Sequence, residues 1–270
     1  MSAESEPSPL HKAYREDRRE VVAELIDLAR SHTTTTDQAG SFAACAIEIL
    51  FWQDRFTEAA DLAEEVILAR GATGQSLTRM DIPFDMALLA AEKYAGVKAA
   101  PRMQRLRTGV PEKSVLGRRL AWLVKAMADR PLERLLASPQ TCGGPSAEVT
   151  GPATGHLGRP YGNLGTSERR VLWEAVRNAN RFDLGRNLHE FGEPPVFESA
   201  LWLAGWYQYT GSSSDAEEVL VRALDVWHPL ELWDILPEGP VLQPVLREAV
   251  TDRVRHHYLT HPIEPVGTAP

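Results

Sequence analysis

The chain has 270 residues, 43% of them apolar and 24% charged, ordinary values for a globular protein that exclude wholesale disorder. Its net charge of −8 at neutral pH argues against a nucleic-acid backbone as the main partner, because phosphate binding needs a basic footprint. The N-terminal stretch is charged throughout and lacks the apolar core of a signal peptide. The longest apolar run, Phe42 to Trp52, is interrupted by Glu48 and is too short to span a bilayer, so no membrane segment is expected.

Two cysteines, Cys45 in that apolar run and Cys142 in a Gly/Pro-rich stretch, do not make a disulfide framework; a reduced, cytoplasmic setting is the expectation. Arg outnumbers Lys by 24 to 5, and with abundant Ala, Gly and Pro this usage fits a GC-rich bacterial genome.

Apolar spacing is helical throughout, and no segment alternates like a half-buried strand, which predicts an all-α fold. Ser8-Pro9 supplies a cap and first turn for a helix running to about His32. Further helices are expected over about 38–53 and 57–70, the latter ended by Gly71, then from Asp81-Pro83 to Tyr94 with a stop at Gly96. Short helices around 101–107, 112–129 and 132–137 follow. Between Pro139 and Thr166 fall seven glycines and four prolines with few apolar anchors, the composition of a long loop or linker. Helices resume at Ser167, with one near 182–191, a pair over 195–209 and 215–227 joined at Gly211, and two more over 229–236 and 241–258.

This organises the chain into an N-terminal helical region (1–138), the Gly/Pro-rich loop (139–166), a C-terminal helical region (167–261) and a loose tail (262–270). Charge is uneven across it. From Lys98 to Arg134 there are ten Lys/Arg against three Asp/Glu, whereas from Asp183 to Val250 there are three Arg against twelve Asp/Glu. Two such regions either face each other or are solvated separately, or the acidic one docks a basic partner.

Two helix pairs carry a family pattern. In one, Leu203, Ala204 and Tyr207 hold the first-helix packing positions, Gly211 the turn, and Ala216, Leu220 and Ala223 the second-helix positions. In the other, Leu50 precedes Phe56 at the turn and Ala59, Ala63 and Val66 follow. Small residues at these places let two helices approach while large ones fill the groove. Both pairs resemble the tetratricopeptide repeat, the second in degenerate form. An irregular α-solenoid or a bundle of antiparallel helix pairs is the alternative architecture; in either case the resemblance implies protein binding on an extended face.

No catalytic motif stands out. His257 and His261 are one helical turn apart, as two zinc ligands would be, but Pro262 follows at once and no HExxH accompanies them. They read as cations favoured at a helix C-terminus, and no metal or other cofactor is expected. Asp81 and Asp85 share a helix face but read as an N-cap and a first-turn charge. The Gly-rich stretch lacks the GK[ST] ending of a phosphate loop.

The candidate binding residues are therefore aromatic and acidic: Trp202, Trp206 and Tyr209, spaced as a single stripe, with Trp227 and Trp233 downstream and Glu217 and Glu218 at the start of the following helix. The stripe is either core or an interface. The expected function is a non-catalytic helical protein that binds a protein partner, a bacterial immunity protein neutralising a toxin being the specific form, by analogy at the level of fold. A regulatory or scaffold protein, or an all-helical enzyme without a local motif, are the alternatives.

Overall fold

Ser8 has an extended backbone and its hydroxyl accepts the His11 N–H, with Pro9 in the first turn, so α1 (Pro9–Arg15) begins where the sequence predicts. It does not run on to residue 32. Asp17 interrupts it, its carboxylate accepting the Arg19 N–H, and starts α2 (Arg18–Arg30) afresh. A local side-chain cap thus overrides a continuous apolar stripe.

The computed structural model describes residues 8–31, 35–73, 81–129, 131–136, 197–227, 229 and 231–264. The Gly/Pro-rich segment 139–166 and the helices expected over 167–191 lie outside the described residues. The fold is all-α: among the described residues every regular element is helical, and no helix is long and apolar enough to cross a membrane.

After α2 come α3 (Thr36–Trp52), α4 (Phe56–Thr73), α5 (Asp81–Ala95), α6 (Ala99–Gly109), α7 (Val115–Asp129) and α8 (Leu132–Leu136). Thr35 and Gln38 close a reciprocal capping box at the start of α3. C-terminal to the described gap lie α9 (Phe197–Thr210), α10 (Ser213–Ala223) with a 3-10 turn (Leu224–Val226), α11 (Gly239–Leu242), α12 (Pro244–Arg247) and α13 (Asp252–Thr260).

Three of these helices end in the same way, with a residue in the left-handed region. Gly96 (φ +68°) closes α5 as the Val97 N–H reaches Ala91 O at 3.0 Å, and Gly211 (φ +82°) closes α9 as the Ser212 N–H reaches Tyr207 O at 2.8 Å. Asp54 (φ +58°) does the same after α3, with the Arg55 N–H on Leu50 O at 3.0 Å. Gly71, read from sequence as a stop, is not one: α4 continues through it to Thr73. It is a contact glycine, since a Cβ there would lie 2.6 Å from Val110 Cγ2.

Two compact units result, each discontinuous in sequence: residues 1–121, 228–238 and 255–270 form the first, and 122–227 with 239–254 the second. In the first unit, α2 to α6 each pack on the next helix, and α2·α4, α3·α5 and α4·α6 pack as next-but-one neighbours. That is the adjacency of stacked helix pairs. Small side chains at the contacts permit it: Ala43, Ala46, Ala59, Ala63, Ala87 and Ala90 are all fully buried. Leu50, Phe56 and Val66, the large residues of the degenerate repeat pattern, are buried with them.

In the second unit α9 and α10 pack along each other, and α9 also packs on α12. Leu203, Ala204, Ala216, Leu220 and Ala223 are buried at this contact and Tyr207 is half-buried.

Two expected helices are absent as such. Residues 231–238 form turns rather than a helix. The helix expected over 241–258 is divided into α11, α12 and α13; Pro244, which lacks the N–H a continuous helix needs and whose ring clashes with the preceding turn, separates α11 from α12. Ile263, inside the tail expected to be loose, is buried and donates its N–H to Tyr14 O at 2.8 Å.

Replacing Gly71 by Ala tests the contact role. In an open helix the change would gain about 1 kcal/mol. Here the clash with Val110 dominates, and denaturant unfolding should show a loss of about 1–3 kcal/mol. Stabilisation would instead assign Gly71 no packing role.

Candidate functional site

Glu48 brings a carboxyl group into the interior of the first unit, 1% exposed. Its Oε2 accepts two backbone N–H groups, from Ile235 at 2.8 Å and Leu236 at 3.0 Å. One turn further along α3, Trp52 donates its indole N–H to Pro237 O at 3.1 Å and stacks on Tyr258 with ring centroids 4.0 Å apart. From α1, the Tyr14 hydroxyl donates to the carbonyls of Glu231 and Leu232, both at 3.2 Å. From α2, Arg18 Nη1 donates to the carbonyls of Tyr258 and His261, both at 2.9 Å.

Four side chains of the N-terminal helices thus strap down two distant stretches, through hydrogen bonds to their backbone and the Trp52–Tyr258 stack. This is also why 229–236 is not helical: the carbonyls of Glu231 and Leu232 are taken by Tyr14 and the amides of Ile235 and Leu236 by Glu48, in place of an internal ladder.

The electrostatics follow from burial. Desolvation pushes the Glu48 carboxyl well above the usual carboxylate range, and neighbouring Asp234 and Glu238 push it further, against the pull of the two amides. Glu238 is half-buried as a residue, but its carboxyl is enclosed and Oε1 has no hydrogen-bond partner. Burial, then Asp234, raises it to about 8. Burial lowers Arg18 to about 10, which leaves it a cation at neutral pH. The thiol of Cys45 is fully buried and pushed up, the condition of an inert packing residue as its apolar run suggests.

Three of the ten basic residues between Lys98 and Arg134 pair with acids of the stack. Arg102 meets Asp61 at 2.6 Å and Glu64 at 2.9 Å, and Arg105 meets Glu64 at 2.6 Å, which holds the Glu64 carboxyl low. Asp85 is not an exposed first-turn charge: it is buried and pairs with Arg119 of α7 at 2.7 Å. The side chain of Asp81 lies outside the described residues.

Lys98 remains exposed at the start of α6, and Arg107, Lys113 and Arg118 at the α6–α7 corner. Val115 beside them is 50% exposed, the most exposed large apolar side chain among the described residues. A depression of about 240 Å³ opens there, lined by Gln104, Arg107 and Thr108 of α6, Glu112 of the connection, and Gly117 and Ala121 of α7. Gly117 shapes it, because a Cβ at that position would lie 2.3 Å from Pro111 O.

The residues singled out in the sequence do not form one patch. Glu217 and Glu218 are both held by Arg253, at 3.2 and 3.0 Å, and Glu218 also by Arg222. Trp227 is half-buried and meets Phe197 edge-on, centroids 5.0 Å apart. Trp233 is half-buried and belongs to the strapped segment of the first unit. Trp202, Trp206 and Tyr209 are placed on α9, with side chains outside the described residues. Sequence reasoning missed Tyr14, Arg18 and Trp52; for Glu48 the signal was present, a lone acid in an apolar run. Comparison with protein-family models, with curated proteins and with solved structures finds no match.

The raised carboxyls make stability pH-dependent with a definite sign. Glu238 binds its proton more tightly folded than unfolded, so its contribution is complete below pH 4.5 and is lost as pH rises toward about 8. Glu48 acts in the same direction. The melting temperature of the protein should therefore fall across this window, and Glu238→Gln should flatten the fall and raise the alkaline end. Parallel profiles for the two proteins would contradict the burial of this carboxyl.

Proposed function

We propose that this chain is a non-catalytic helical-repeat module that binds a protein partner. The observation that carries the reading is the packing of α2 to α6, each helix on the next and the next but one. Consecutive helices stacked in this way build a continuous surface from successive elements, which suits recognition of another chain. The buried repeat-pattern residues of α3–α4 and of α9–α10 support a tetratricopeptide-like origin for these pairs.

The docking surface we assign is the α6–α7 corner, where exposed cations, an exposed Val115 and a depression coincide. A partner segment carrying acidic side chains beside an apolar anchor matches it. The acidic candidates Glu217 and Glu218 already satisfy Arg253, so an incoming basic partner would have to compete with that ion. Within this class the specific role we propose is bacterial toxin immunity in the cytoplasm, with a scaffold in a multiprotein assembly as the broader form.

The test is binding to the product of an adjacent gene, followed by size exclusion and stopped-flow mixing. Association should weaken with salt, because exposed charges are screened beyond about 8 Å at physiological ionic strength. Paired Arg107→Glu and Arg118→Glu should slow association by about tenfold, while paired Glu217→Lys and Glu218→Lys should leave it near wild type. The reverse pattern would move the interface to the acidic helix. For immunity, wild type should protect cells expressing the toxin and the Arg107/Arg118 variant should not.

A further inference from the structure

We propose that His257 and His261 form a two-imidazole chelate for a divalent transition-metal ion of the zinc, nickel or copper class. The sequence raises an objection, since Pro262 follows directly and ends the helix. The structure removes it. Although α13 stops at Thr260, the His261 N–H still donates to His257 O at 2.8 Å, so the one-turn register between the two residues is kept. Their rings lie on the same side, centroids 4.6 Å apart and tilted by 33°, with ligand nitrogens within 4.8 Å of one another.

The pair is also held in place from both sides. Arg18 Nη1 grips the carbonyls of Tyr258 and His261, and the Ile263 N–H is fixed on Tyr14 O. Backbone fixed in this way before an ion arrives loses little freedom when it is chelated, which favours binding. Both histidines are half-buried, so an ion bridging them keeps part of its coordination sphere for water. Imidazole nitrogen suits zinc, copper and nickel and discriminates against magnesium and calcium, which prefer oxygen. His256 precedes the pair, is exposed, and projects from a different face of the helix.

The full chain titrated with Zn²⁺ or Ni²⁺ against a chromophoric chelator should take up a single ion at this site. His257→Ala and His261→Ala should each weaken uptake by about tenfold or more, the range seen on losing support for a metal site. His256→Ala should bind as wild type. Addition of Ni²⁺ should raise the melting temperature of wild type and of His256→Ala, but not of the His257→Ala/His261→Ala double variant. Absence of uptake by wild type, or full uptake by the double variant, would overturn the proposal.

Discussion

Glu48 places a carboxyl group where water does not reach it, within the apolar run of α3. Such a group is tolerated only when its oxygens find donors or when it keeps its proton. The donors come from a segment 187 and 188 residues away in sequence, whose amides at Ile235 and Leu236 turn toward it. The amides in turn cannot serve a helix of their own. A single buried acid therefore fixes the conformation of a distant stretch, and with Tyr14, Trp52 and Arg18 it determines which part of the C-terminal sequence belongs to the first unit. Removing Glu48 would leave two buried amides unsatisfied as well as a cavity, which is why the interaction constrains more than its own neighbourhood.

The stack that carries this strap depends on close approach. Alanines at the helix contacts bring backbones together, and Gly71 extends the same logic to the point where α4 meets Val110. The tight left-handed closures after α3, α5 and α9 keep the connections short, so consecutive helices have little choice but to be neighbours. Ion pairs then add register between helices: Glu64 ties α4 to Arg102 and Arg105 of α6, and buried Asp85 ties α5 to Arg119 of α7. A pair this buried contributes less by its own attraction than by the cost of leaving either partner alone.

The all-α class and several helix limits were legible because they rest on local signals. Ser8-Pro9, Gly96 and Gly211 act through backbone preferences that a sequence displays directly. Gly71 misled for the same reason: glycine reports a need for small size or for positive φ, and composition does not separate the two. The expected helix over 229–236 failed because its hydrogen bonds go to side chains nearly two hundred residues away, beyond any window of periodicity. The aromatic and acidic candidates suffered from the same blindness. Spacing groups Trp227 with Trp233, whereas the fold assigns them to different units, and the carboxylates of Glu217 and Glu218 are answered by Arg253, which lies just beyond the acidic stretch.

Counting charge by position and counting it by what still faces water give different answers, and the second is what a partner meets. The basic stretch loses Arg102, Arg105 and Arg119 to acids on α4 and α5, yet Arg107, Lys113 and Arg118 stay exposed at the α6–α7 corner, with Arg107 lining its depression. On a protein of net charge −8, such a corner is a local reversal of the overall field. The acidic partner segment proposed above would be opposed by the net negative charge of the protein and drawn to this corner, so the overall acidity would sharpen orientation. Glu112 lines the same depression as Arg107, and for that proposed partner it would favour a carboxylate approaching from the Arg107 side. The selectivity we propose for this corner thus rests on the contrast between the net charge of the molecule and the cations that the helix stack leaves exposed there.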